Sequence, residues 1–305
     1  KYGESSKSYD DHSNYKFVKG DVKDLALMKR LIQDCDQIVA GAAMIGGISY
    51  FHEYAYDLIA ENERIVASTF DAAIWAHQNK VLKKINVLSS SMVYESTAKY
   101  PTPEGEQLKC SPPLSTYGFQ KLSIEYFAKG AWEQYKLPYT IIRPFNCVGI
   151  GEKRAIGDVD IRSGNIQLAM SHVVPDLVQK ILKGQNPLHI LGDGSQIRHY
   201  TYGGDLAKGI RLCIENERSI NEDFNISTSV PTSVIELAEL IWKKINPSTP
   251  FNFISDKPYQ YDVQKRVPDV NKMKNLLEFE ATTSLDSALE EVIPWINEQI
   301  NLGTI

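Results

Sequence analysis

Ile85-Asn86-Val87-Leu88-Ser89-Ser90 is a short, mostly apolar run that ends in small hydroxyls, which predicts a buried strand. A polar, proline-containing loop runs from Glu95 to Ser115, and Tyr117-Gly118-Phe119-Gln120-Lys121 then opens a helix. Pro138-Tyr139-Thr140-Ile141-Ile142-Arg143-Pro144 reads as the next buried strand. Strand, loop, helix and strand in this order imply a parallel sheet with covered faces.

The flanking sequence extends the pattern. Tyr15-Lys16-Phe17-Val18 predicts a strand stopped by Gly20-Asp21, and Asp24 caps a helix through about Asp34. Gln37-Ile38-Val39-Ala40 is a strand that runs into Gly41-Ala42-Ala43. A helix spans roughly 57–78, with Val66, Phe70, Ala73, Ile74 and His77 on one face. After Pro144 the character changes. The stretch 149–165 is polar and glycine-rich and holds Lys153, Arg154 and Arg162, read as a solvated loop. A helix near Val174–Leu182 follows. Leu188–Leu191, the turn Gly192-Asp193-Gly194-Ser195 and Ile197–Tyr202 read as a hairpin on the strength of Asp-Gly. Helices at 204–215, 234–245 and 285–300 and a short strand at 224–226 complete the chain.

Composition narrows the function classes. The 305 residues carry 33 Lys plus Arg against 38 Asp plus Glu, a net charge of −5, with no basic stripe to hold nucleic acid. No apolar run approaches the roughly 20 residues of a membrane-spanning helix, so neither nucleic acid nor membrane is an expected partner. Cys35, Cys110, Cys147 and Cys213 are scattered and read as free thiols of a reducing cytoplasm. The six histidines are not spaced as metal ligands, so no metal is expected. The chain opens on Lys1, with a polar, aperiodic stretch to Asn14, and the reading places the start of the protein upstream.

Tyr117 and Lys121 are four apart, hence on one helix face one turn apart. An ammonium there is expected to lower the phenol's pKa and make it usable as a base, with Ser90 holding the substrate's hydroxyl proton. That is machinery for oxidising a secondary alcohol. An isolated Y-x-x-x-K is more often a solvated surface pair; the ordered strands on either side favour the catalytic reading.

The chain resembles the extended short-chain dehydrogenase/reductases that act on nucleotide sugars: sugar epimerases, 4,6-dehydratases and the GDP-fucose synthase group. The resemblance runs along nearly the whole chain. It implies an α/β fold, a Rossmann-like doubly wound parallel sheet with a smaller C-terminal α/β substrate domain. Residues 1–146 and 198–228 would form the dinucleotide-binding domain, and 147–197 with 229–305 the substrate domain. It implies Ser90, Tyr117 and Lys121 as the catalytic set, with Lys121 also meeting the cofactor ribose. Gly20-Asp21 resembles the turn whose aspartate reads adenine. Ala42-Ala43 with Gly46-Gly47 resembles a segment lining the cofactor, which Asn62, Ser89 and Pro144 would also contact. Arg143-Pro144-Phe145-Asn146 resembles R-P-x-N, where Asn146 meets the sugar nucleotide. Arg198 and the Arg266 of Arg266-Val267-Pro268-Asp269 match positions that hold pyrophosphate or ribose. Arg198 read without the resemblance pairs with a core carboxylate such as Asp205, and Arg266 reads as a surface residue. The glycine fingerprint of the first strand–turn–helix is absent from this sequence, and with it the residue that separates NAD from NADP. NAD is the expected cofactor, with NADP left open.

Within that family, the two residues after Ser90 point to the reaction. Dehydratases resemble Asp-Glu there; this chain has Ser91-Met92, and a thioether moves no proton. The 3,5-epimerases carry Cys in place of Met92, while Ser171-His172-Val173-Val174-Pro175 resembles the segment that supplies their acid, His172. His172 reads equally as a capping or core histidine, Met92 as pocket lining and Cys147 as a buried thiol. By exclusion the expected reaction is C4 epimerisation through a transient 4-keto sugar. A GDP-fucose synthase-like 4-keto reductase/3,5-epimerase, a 4,6-dehydratase and a non-catalytic NAD(P)-binding sensor are the alternatives. In relatives the helices around 57–78 and Tyr117 form a dimer interface, which implies a homodimer.

Overall fold

A computed structural model of the protein describes residues 11–152, 162–167, 172–259 and 262–305. Lys153, Arg154 and Ser171 lie outside the described residues. The central sheet has four parallel strands. β1 (Gln37–Ala40) pairs with β2 (Lys84–Leu88), β2 with β3 (Tyr139–Pro144), and β3 with the strand Glu222–Ile226. The register sets Gln37 opposite Lys84, Ile85 opposite Tyr139 and Glu222 opposite Thr140. Along the chain, α1 (Leu25–Ile32), α2 (Ile48–Glu53), α3 (Ala55–Gln78) and α4 (Thr116–Tyr135) precede β3. Then follow α5 (Val173–Leu182), α6 (Gly203–Glu215), α7 (Val234–Ile245), α8 (Asn271–Leu277) and α9 (Leu285–Asn301).

Strand periodicity distributes the core. Neighbours Ile141 and Ile142 point to opposite faces. Ile141 joins Ile85, Val87, Phe70, Ala73, Ile124 and Ala128 beneath α3 and α4. Ile142 joins Phe224, Leu206, Cys213 and Met273 beneath α6 and α8. Full burial of such a side chain contributes roughly 1.5–3 kcal/mol relative to exposure. Helices on both faces make the sheet doubly wound and Rossmann-like. A separate core gathers α5, α7 and α9 around Leu188, Ile190, Leu237, Trp242 and Ile296.

Local signals act as the sequence implies in several places. The Asp24 carboxylate accepts from Leu27 N at 3.0 Å and starts α1. Lys84, buried without a carboxylate, donates to the Cys213 and Ser219 oxygens and to Ile214 O at the C-terminal end of α6, where a cation is favoured.

Two expectations fail. Tyr15–Val18 forms no strand, and Phe17 is 54% exposed. A strand needs a neighbour's hydrogen-bond ladder, and β1 pairs only with β2 among the described residues. The Asp193-Gly194 hairpin does not form either. The turn is made: Asp193 accepts from Ser195 N and Oγ at 2.9 and 2.6 Å, and Gly192 and Gly194 have φ of 68° and 78°. Its flanks then part. Leu188–Leu191 pairs in parallel with Phe253–Asp256, and Ile197–Arg198 pairs antiparallel with Thr232–Ser233. A tight turn fixes chain reversal locally, whereas partners are chosen by the core each strand can enter.

Candidate active site

The C-terminal ends of β1, β2 and β3 open on one crevice, the place where open α/β sheets bind ligands. Just past β2, Ser90 caps a turn of 3-10 helix at Ser91–Tyr94, its Oγ accepting from Met92 N at 3.2 Å. The same hydroxyl is near enough to the Tyr117 phenol to favour its ionised form. The start of α4 is pinned from both sides. Ser115 Oγ accepts from Gly118 N at 3.0 Å, and Ser115 itself donates to Glu95 from Oγ (2.7 Å) and from its backbone N (3.2 Å). A Cβ on Gly118 would lie 2.9 Å from Met92 O and 2.6 Å from Pro113 Cβ. Only glycine lets the helix press this closely on the Ser90 turn. Lys121 Nζ donates to Leu88 O at 3.0 Å and lies 5.9 Å from the Tyr117 ring centroid. Ser90, Tyr117 and Lys121 are therefore brought together, all three buried.

Burial controls their electrostatics. It lowers the Lys121 ammonium to about 8. It also pushes the Tyr117 phenol above its ordinary range, against the opposing Ser90 hydroxyl and the Arg266 charge. The expectation of a phenol tuned downward by Lys121 is thus corrected. In the folded chain desolvation by Tyr50, Leu58 and Met92 outweighs every charge that would stabilise a phenolate.

One turn beyond Lys121, Glu125 anchors the helix to the sheet. Arg143 of β3, fully buried, donates to it through Nε and Nη2, both at 2.7 Å. Arg143 Nη1 also reaches the Tyr94 hydroxyl (2.9 Å) and Asp223 (2.7 Å). Burial would lower the guanidinium's pKa, but Glu125, Tyr94 and Asp223 hold it well above the ordinary value. Ser89, expected at the cofactor, belongs to this network: its hydroxyl donates to Glu125 at 2.6 Å and lies 3.3 Å from Lys121 O. Adjacent residues at a strand end point to opposite sides, so only one of the two serines can face the crevice.

On the cofactor side, Asn62 is buried and clamps Met44, accepting from its N at 2.7 Å and donating to its O at 3.0 Å. It thereby fixes the segment that carries Ala42 and Ala43 past β1. Pro144 ends β3 at the same crevice, while Asp21 is an exposed turn residue accepting from Lys23 N at 2.9 Å. A buried ammonium with one recorded acceptor, beside a phenol at the strand ends, fits the nicotinamide half of a dinucleotide. Among the described residues no glycine-rich strand–turn–helix offers the pyrophosphate a cradle. Nor does any group of three His, Cys, Asp or Glu among them suit a metal.

The opposite wall is cationic. Arg198 does not pair with Asp205: its Nη2 lies 3.3 Å from Asp262, and Asp205 instead accepts from Thr283 N at 2.7 Å. Arg266 Nε is buried with no hydrogen-bond partner among the described residues. Burial and the neighbouring Arg198 lower Arg266 to about 9. The Arg266 charge is felt by both Tyr117 and His172, lowering the pKa of each. Asn146, with φ of 37°, has a buried Nδ2 that is likewise unpartnered. Ser91 and Met92 are buried, and Met92 packs on Tyr117 as lining. His172 sits at the α5 N-cap but its side chain caps nothing. Its Nδ1 is 2.7 Å from Glu152, whose charge overcomes desolvation and raises the imidazole's pKa. Cys147, expected as a buried thiol, is instead exposed, because its two-residue strand lies at the surface; desolvation of its sulfur and Glu152 still lift its pKa to about 11, away from a thiolate base.

Sequence reasoning missed Glu95, Glu125, Glu152 and Asp262. Glu125 had a signal, being four residues after Lys121 on the same helix face. Glu152 and Asp262 had none, since their partners are distant in sequence.

The chain matches the model of the NAD dependent epimerase/dehydratase family over residues 2–227. A putative UDP-glucose 4-epimerase of Methanocaldococcus jannaschii is 27% identical over 281 residues, 92% of this chain and 83% of that protein. The GDP-L-fucose synthase of Escherichia coli is 26% identical over 277 residues, covering 86% and 80%. The crystal structure of a UDP-glucose 4-epimerase from Thermotoga maritima, with UDP-glucose, superposes with a TM-score of 0.77 at 24% identity, over 98% of this chain and 90% of that one. A family match across more than half its length, on a sheet and crevice of this form, places the chain in the NAD dependent epimerase/dehydratase family, as an enzyme of nucleotide-sugar chemistry.

Proposed function

We propose that the chain interconverts C4 epimers of a nucleotide-diphosphate sugar through a transient 4-keto sugar. The observation that carries this reading is the buried grouping of Ser90, Tyr117 and Lys121, with a thioether packed on Tyr117 where elimination would need an acid or base. Bound NAD supplies a hydride acceptor and donor for C4. Tyr117 takes the C4 hydroxyl proton and later returns it. Ser90, fixed by Met92 N, donates to the same oxygen. Lys121 holds positive charge beside the Tyr117 ring and would meet the cofactor ribose. Arg198 and Arg266 offer guanidinium forks to a diphosphate, and Asn146 Nδ2 a free donor to the sugar nucleotide. The ketone then turns over and accepts hydride on its other face, which needs room rather than another catalytic group.

A second reading, 4-keto reduction with 3,5-epimerisation, is favoured by one observation. The Glu152 carboxylate, 2.7 Å from His172 Nδ1, makes the imidazole hold its proton more tightly, as an acid for such a step would need. Incubating the protein with NAD and a panel of UDP-, GDP-, dTDP- and CDP-sugars, with products identified by NMR, separates the two. A 4-epimer supports the first reading, and deuterium uptake at C3 and C5 supports the second. A 6-deoxy-4-keto product overturns the argument from Met92. Bound NAD with no response to any sugar identifies a sensor.

The two-domain division follows from the separate cores, and the homodimer from the exposed aromatics Phe119 and Tyr126 on α4 and Tyr56 on α3. Light scattering at micromolar concentration tests the dimer. Four unpaired thiols suit the cytoplasm, and among the described residues no helix is long and apolar enough to cross a membrane.

A further inference from the structure

α2 lies between β1 and α3 and packs against Tyr117 at the start of α4. Its entry is Gly46-Gly47, and a Cβ on Gly46 would lie 2.6 Å from Tyr50 Cβ, so the short helix folds tightly back on its own start. Asn62 fixes the preceding residue pair through Met44. Two consecutive side chains of α2 then make flat ring contacts on two different parts of the molecule. The Phe51 ring lies 4.3 Å from that of Tyr117, at an interplanar angle of 10°. The His52 ring lies 4.9 Å from that of Tyr259, at 11°, in the C-terminal segment that precedes Arg266. Tyr117 is only 6% exposed, and Phe51 is among the side chains that cover it.

We infer that Phe51 is a positioning residue for Tyr117, holding the phenol ring by stacking, with α2 braced against the substrate segment through His52 and Tyr259. The geometric demand is physical. A tyrosine on the first turn of a helix has two soft side-chain torsions, and Ser90 beside the oxygen leaves the ring plane free to tilt. A parallel aromatic neighbour restrains the plane, because ring pairs attract beyond the area they bury and prefer defined geometries. Proton abstraction is sensitive to sub-ångström placement, so a weak contact with the base can exert a large effect on turnover. The inference rests on the catalytic reading of Tyr117 given above.

The test uses the full chain with NAD and the nucleotide sugar that the wild type turns over. Phe51→Ala is expected to lower kcat by about 10- to 100-fold with KM little changed. Phe51→Tyr, which keeps a flat ring, is expected to restore kcat, and Phe51→Leu, which keeps bulk without a flat face, to fall between. Wild-type kcat in Phe51→Ala, or equal losses in Phe51→Tyr and Phe51→Leu, overturns the inference. If wild type turns over no sugar, the catalytic reading fails, and ionisation of the phenol still tests the contact. Difference absorbance between Phe51→Ala and Phe51→Ala/Tyr117→Phe isolates this one group. Lys121 on its own helix, Ser90 past β2, Tyr50 and Tyr54 from the α2 side and Arg266 from the C-terminal segment all face it and are unchanged. Titration at lower pH than in wild type is expected as water reaches the ring, and an unchanged titration overturns the inference.

Discussion

Arg143 and Arg266 are the same residue type, both close to the catalytic helix, and their surroundings are opposite. Arg143 is fully buried among more negative charge than it carries: Glu125 grips it through two hydrogen bonds of 2.7 Å and Asp223 through a third. Its proton is held more tightly than in water. Arg266 shares its neighbourhood with Arg198, Asp262 and Glu95, has an Nε unpartnered among the described residues, and holds its proton less tightly, at about 9, because burial and Arg198 outweigh the two carboxylates. The first arginine is complete without a ligand. The second keeps a buried N–H without an acceptor among the described residues, beside a second guanidinium, an arrangement that an anion would complete.

The largest effect expected from this contrast is on Arg143. Arg143→Met leaves Glu125 charged and unpaired in the core, and breaking such a pair costs about 3–5 kcal/mol, readable by denaturant unfolding. Replacing both partners, Arg143→Met with Glu125→Leu, should recover most of that loss, because no buried charge remains. If the single variant is as stable as wild type, Arg143 is not a structural pin. Arg266→Met should do the reverse. Loss of a charged hydrogen bond to the diphosphate weakens nucleotide-sugar binding by roughly 10- to 100-fold in calorimetry. Its melting temperature should hold or rise, since a repulsive neighbour of Arg198 is gone. A fall in stability with unchanged affinity would erase the distinction between the two arginines.

A smaller effect concerns Lys121, the cation beside the Tyr117 ring. Its pKa is lowered to about 8, so the ammonium is charged below that pH and loses its proton as pH rises through it. Turnover should therefore decline above about pH 8, and Lys121→Arg, whose charge persists, should move that limb upward even at reduced kcat. The smallest effect is at the rim. The Glu152 carboxylate raises the His172 pKa, so the stability from this pair is present below the ordinary imidazole value and lost as pH rises through the folded value. Glu152→Gln should lower the His172 pKa in an NMR titration, with little change in melting temperature because the imidazole is half-exposed.

Legibility in the sequence followed locality. Helices α3, α4, α6, α7 and α9 and strands β1, β2 and β3 were readable, because 3.6- and 2-residue periodicity and capping side chains act within a few residues. Tyr117, Lys121 and Ser90 were readable for the same reason, one pair sharing a helix face and the serine ending an apolar strand. Asp193-Gly194 marks the limit: the turn is encoded locally, and the strands' partners are not. Tyr15–Val18 shows the same limit, having strand composition and no ladder to join.

By itself the sequence determined a parallel α/β chain with Tyr117 and Lys121 on one face of the helix between β2 and β3, because spacing along one element dictates which side chains share a face. Only the tertiary structure decided which serine faces the crevice, that burial raises the phenol's pKa, which arginine is matched and which is open, and that Phe51 lies over the base. Those depend on contacts between residues far apart in the chain, where solvent exclusion and the balance of neighbouring charges, rather than residue identity, set the chemistry.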